Sequence, residues 1–114
     1  MSEEIPDLTL DELLGFKNVV LIRDLEFEIN VDGEVQQMKR KVTFRRLTYG
    51  EIDKLRTIPD DKPLRYASAV ILTGSISPKF ADVDQIAGSP HGFVRNYNAL
   101  IMRESGKDPF LEKR

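Results

Sequence analysis

The spacing of apolar residues along this chain shifts from helical to alternating and back to helical. Leu10, Leu13 and Leu14 share one face of a short helix. Thr9-Leu10-Asp11-Glu12 opens it with capping-box chemistry, a hydroxyl for backbone N–H groups and a carboxylate three residues on. Two turns do not hold alone, so that face is expected to dock on something. From Val19 the period becomes two: Val19, Leu21, Leu25, Phe27 and Ile29 on one side, Asp24, Glu26, Glu28 and Asn30 on the other. Asp32-Gly33 then supplies the dipeptide suited to a type I′ hairpin turn. With those two residues as the loop, Leu21 faces Phe44, Arg23 faces Val42 and Phe27 faces Met38. On the opposite face Asp24 meets Lys41, Glu26 meets Lys39 and Glu28 meets Gln37. Each facing pair of opposite charge contributes about 0.2–1 kcal/mol, so the register is supported twice. Arg23, Arg40 and Gln36 interrupt the apolar face, either by snorkelling or at a bulge.

Beyond the hairpin the helical period returns. Thr48-Tyr49-Gly50-Glu51 repeats the capping box ahead of Ile52 and Leu55, and residues 59–63 form a linker. Residues 63–73, PLRYASAVILT, are apolar on most sides and predict a buried helix at the centre of the core, ended by Gly74. Ser75-Ile76-Ser77-Pro78 reads as a loop, and Asp82 as the cap of a brief helix that stops at Gly88. Ser89 and Pro90 read as the cap and first residue of a last helix with Phe93, Tyr97, Leu100 and Ile101 on one stripe and Gly106 as its stop. The expected fold is α+β: a long antiparallel hairpin, with room for a further strand, packed against three to five short α-helices. At 114 residues one domain is expected, 1–114, with 1–8 as a loose acidic arm and 107–114, KDPFLEKR, as a polar tail.

Composition narrows the chemistry. Hydrophobic residues at 40% and charged residues at 32% suit a soluble globule, and a net charge of -2 argues against a general polyanion binder. Without cysteine, the chain offers no disulfide, zinc–thiolate site, iron–sulfur ligand or thiol nucleophile. No apolar run nears the length of a membrane span, and the MSEEIPDL start is acidic, so a cytoplasmic protein is expected. His91 has no His, Asp or Glu partner converging on it. Asp60-Asp61 and Asp82/Asp84 are pairs in sequence only, and no GxGxxG or Walker loop occurs. The expectation is a non-enzyme with no cofactor, metal or small-molecule substrate. Lys39-Arg40-Lys41 and Arg45-Arg46 form a basic strand, but only Phe44 supplies an aromatic, and the charges alternate against Asp24 and Glu26.

Taken in order, an Asp-Gly hairpin leads through Phe44 and Arg45 into Leu47-Thr48-Tyr49-Gly50-Glu51, a strand-to-helix junction. A mostly apolar helix ends at Leu72-Thr73-Gly74, a loop carries Asp82 and Asp84, and a final helix ends MRESG. Over roughly residues 19–106 this order resembles the small tail assembly chaperones of long-tailed bacteriophages and prophages. The resemblance implies a protein that coats the helical tape-measure protein, keeps it soluble, helps recruit tail-tube subunits and is absent from the finished virion. It supplies no catalytic residue and no contact residue.

Apolar patterning therefore nominates the partner contacts: Phe93, Tyr97, Ile101, Phe110 and Leu111. The first three lie on a stripe that is a core face first, and a partner surface only where the sheet leaves it uncovered. Two rival readings stand beside the chaperone. One is a structural virion component (head–tail connector, neck or tail-tube subunit), in which strand edges pair between subunits. The other is a small nucleic-acid-binding protein using the basic strand 39–46. Self-association is compatible with each.

Overall fold

Asp32 and Gly33 adopt φ of 53° and 83°, the left-handed pair that a two-residue hairpin loop requires, and the fold is built outward from that turn. The structure is a computed structural model that describes residues 4–16, 19–59 and 63–106. In chain order it contains α1 (Leu10–Gly15), β1 (Val20–Val31), β2 (Glu34–Arg45), α2 (Tyr49–Leu55), α3 (Pro63–Gly74), β3 (Ser75–Ser77), α4 (Val83–Ala87) and α5 (His91–Glu104). The three strands form one antiparallel sheet in the order β1-β2-β3, so the fold is α+β.

β1 and β2 pair without interruption from Val20↔Arg45 to Val31↔Glu34. This is the register expected from the turn and the charges. Lys39 Nζ lies 3.9 Å from Asp24 and 3.8 Å from Glu26, and Gln37 donates to Glu28 at 2.7 Å. The unbroken ladder leaves no bulge at Arg23. Its guanidinium reaches Glu104 at the end of α5, 2.8 Å away, while its backbone stays in the sheet. Gln36 and Arg40 are both exposed on β2: Gln36 lies closer to the turn than the last buried positions, Leu25 and Val42, and Arg40, opposite the buried Leu25, turns its guanidinium to the Lys39 carbonyl at 2.8 Å.

Leu21, Leu25, Val42 and Phe44 present the apolar face of the hairpin, and α5 closes over it with Val94, Tyr97, Leu100 and Ile101. α3 packs behind α5 through Ala67, Val70, Ile71 and Gly74, a spacing of three, four and seven. Leu72, 40% exposed, and Thr73 face solvent, so α3 is buried along one side rather than all round. Gly74 ends that helix by close packing. A Cβ there would sit 3.3 Å from both the Arg45 carbonyl oxygen and the Ile101 side chain.

Residues 75–77 form a third strand instead of a loop, pairing Ser77 with Thr43 and Ser75 with Phe44. The last helix also starts one residue later than expected. Ser89 turns its hydroxyl back to the Gln85 carbonyl of α4, at 2.9 Å, and so gives α5 no side-chain cap. The linker at 59–63 lies largely outside the described residues.

Candidate partner interface

The stripe nominated for partner contact is the centre of the core. Tyr97 and Ile101 have no exposed surface. The Tyr97 ring meets Phe44 edge-on at 6.0 Å, and its hydroxyl donates to Ser75 Oγ at 2.7 Å. Burial pushes the Tyr97 phenol above its usual pKa, against the opposing effect of the Ser75 hydrogen bond. Phe93 is half-buried among Phe27, Phe80 and Tyr97, with ring centroids 5.4, 6.3 and 5.4 Å away. These residues face inward because the stripe lies over the apolar side of the hairpin, leaving neither Tyr97 nor Ile101 for a partner. Phe110 and Leu111 lie outside the described residues.

Apolar surface is exposed instead at the other end of the chain. α1 forms as its cap predicts, with Glu12 N–H donating to Thr9 Oγ1 at 3.1 Å, yet none of its residues is buried. Leu10, Leu13 and Leu14 are 68%, 51% and 62% exposed, and Ile5, Leu8 and Phe16 are more than half exposed as well. The expected docking of this face is therefore incomplete. Leu13, Leu14 and Phe16 instead form one wall of an open groove of about 460 Å3, with Arg46, Leu47, Thr48, Tyr49 and Gly50 as the other. Tyr49 stands at its rim, 81% exposed. Residues 4–16 carry Glu4, Asp7, Asp11 and Glu12 and no Lys or Arg, so the apolar flank is edged by negative charge. The leucine spacing and the acidic run were both present in the sequence. What it lacked was any sign that the other described residues leave them exposed.

Hydrogen bonds tie the β2–α2 wall of the groove to its neighbours. Arg45 Nη1 and Nη2 donate to Glu51 Oε1 and Oε2 at 2.8 and 2.6 Å, and Oε1 also accepts the Thr48 N–H at 2.9 Å. The guanidinium beside Glu51, with burial opposing it and the Thr48 backbone bond assisting, holds that carboxyl down at about 2; the same pairing raises Arg45. Arg46 Nε donates to the Glu104 carbonyl at 3.1 Å, and Leu47 N–H donates to Ser105 Oγ at 2.9 Å, which ties this junction to the end of α5. Of the five charges on the basic strand, Lys39, Arg40, Arg45 and Arg46 already have partners within the chain, Arg40 through the Lys39 carbonyl at 2.8 Å.

Among the described residues no three His, Asp or Glu side chains converge as metal ligands, and no helix is long and apolar enough to cross a membrane. His91 is exposed at the start of α5. Fold and surface define a small α+β domain with an apolar flank that the other described residues leave largely exposed. The chain matches no protein-family model, no curated protein and no solved structure.

Proposed function

We propose that this chain is a tail assembly chaperone acting in the host cytoplasm, and that its client surface is the α1–α2 flank. One observation carries the reading: six apolar side chains between Ile5 and Phe16 stand exposed on an acidic stretch, beside the groove that Tyr49 borders. Exposed apolar surface of this extent is costly unless a partner uses it. A long amphipathic helix, such as a tape-measure protein before its tube encloses it, suits the groove through side chains at i, i+3, i+4 and i+7. The acidic edge favours a client stripe bordered by Lys and Arg, and steers encounter without demanding an affinity that would prevent release. The resemblance adds recruitment of tail-tube subunits to the same reading.

The test is co-expression with a tape-measure protein from the same tail gene cluster. The wild-type chain should keep the client soluble and co-purify with it. The double variant Leu13→Asp/Leu14→Asp should fold and fail at both. A client equally soluble with and without the chain would overturn the proposal. A structural virion component is the second reading, favoured by the outer position of β1 in the sheet. Purified particles separate the two, since a chaperone is absent from them and a component is present in fixed copy number.

A further inference from the structure

The end of α5 is fastened to the wall of the α1–α2 groove. Arg46 Nε donates to the Glu104 carbonyl at 3.1 Å, and the Leu47 N–H donates to Ser105 Oγ at 2.9 Å. Arg46 and Leu47 line the groove, across from Leu13, Leu14 and Phe16. Gly106 then turns out of the helix at φ 86°, with its N–H on the Arg103 carbonyl at 3.0 Å. The chain beyond Gly106 therefore leaves the domain beside the groove. That chain is residues 107–114, KDPFLEKR, with Phe110 and Leu111 as adjacent large apolar residues.

We propose that this segment docks in the groove of its own chain, with Phe110 and Leu111 between the α1 and α2 walls. Reach selects that occupant first. Phe110 and Leu111 stand four and five residues past Gly106, a span of at most about 13–18 Å. Asp108 precedes a proline, which favours extended backbone, and Pro109 has no N–H with which to continue α5. Shape agrees with reach. Successive side chains of an extended segment point to opposite sides, and the groove has apolar residues on both: Leu13, Leu14 and Phe16 on one, Leu47 and Tyr49 on the other. Charge agrees as well. Residues 4–16 carry four carboxylates and no Lys or Arg, and Lys113 and Arg114 lie within three residues of Leu111. A short tether holds the segment at an effective concentration on the order of millimolar, which a free peptide does not reach.

The consequence rests on the client reading above: tail and client compete for one groove, so the tail shields it until a client arrives. Two apolar side chains hold weakly enough to yield. The docking itself is tested without a client, so either reading can fail alone.

The chain has no cysteine, and introduced pairs report where the tail lies. Gly50 lines the groove with nothing within 4 Å of an added Cβ, whereas Asp24 lines a separate groove with Arg103, near the end of α5. Glu112→Cys with Gly50→Cys should close an intrachain disulfide about tenfold faster than Glu112→Cys with Asp24→Cys. Adding Phe110→Asp and Leu111→Asp to both should bring the two rates within about twofold. Equal rates with the natural Phe110 and Leu111 overturn the proposal, as does a groove pair whose rate ignores the aspartates. Linkage of the groove pair between chains, seen as a doubled mass, puts the tail on a second copy and overturns it too.

Discussion

Glu51 accepts two charge-assisted hydrogen bonds from Arg45 and one from the Thr48 backbone, so a single carboxylate joins the end of β2 to the first turn of α2. Both partners are about three-quarters covered, which places the pair between a surface ion pair and a core one. With the carboxyl held at about 2 in the fold against an ordinary 4.5, the folded state binds fewer protons than the unfolded state in that interval. The pair's contribution is complete above pH 4.5 and falls as pH drops towards 2. Glu51→Gln keeps the shape and the cap acceptor and removes the charge. It should cost about 1 kcal/mol at neutral pH and flatten the acid limb of stability. Urea midpoints collected from pH 7 to about pH 2.5 check both; parallel curves for the two proteins would contradict the linkage.

Two glycines should respond in opposite directions to the same added methyl group. At Gly92 the new Cβ would meet Glu28 backbone at 2.9 Å, so α5 must move off β1, at a cost of about 1–3 kcal/mol. At Gly50 nothing lies within 4 Å, and the residue sits in the first turn of α2. Gly50→Ala should stabilise by about 0.5 kcal/mol through the unfolded chain. Thermal midpoints of the two variants, measured side by side, should fall on either side of the wild type.

Tyr97→Phe isolates a buried polar contact. The hydroxyl donates to Ser75 Oγ, which itself donates to the Pro78 carbonyl, so the bond anchors β3 and the turn after it. Losing it should cost about 1 kcal/mol while the ring packing on Phe44 and Phe93 is retained. Hydrogen exchange should quicken most around residues 75–78. An equal change across the sheet would instead mark a general loosening.

The hairpin was legible because independent signals agreed on it: Asp-Gly at the turn, alternation along both strands, and opposite charges at facing positions. One of its uncertain residues was resolved by something outside it, since the position of the Arg23 guanidinium depends on where α5 ends. β3 escaped notice because three residues carry no period, and its existence follows from the Tyr97 and Thr43 contacts around it. Which apolar face stays exposed was the least legible part. Spacing shows which side of a helix is apolar, and it says the same of Phe93-Tyr97-Ile101 as of Leu10-Leu13-Leu14. Only the packing separates them, since the first set meets the sheet and the second meets solvent.

That separation gives the last prediction its contrast. Leu13→Asp and Leu14→Asp change side chains that are at least half exposed, so each should alter stability by no more than about 0.5 kcal/mol. Ile101→Ala removes buried methyl groups from a side chain with no exposed surface and should cost about 2–5 kcal/mol. Binding of a hydrophobic dye to the native protein should order the variants the other way. The α1 substitutions should lower it by removing open apolar surface, and Ile101→Ala should leave it unchanged until unfolding begins. Were the aspartate variants to lose stability as Ile101→Ala does, α1 would be packed against the domain in solution and the flank would not be available to a client. Dye binding that falls while the unfolding midpoint holds is the signature of a surface kept open by the fold, because it separates what the leucines do for partners from what they do for the chain.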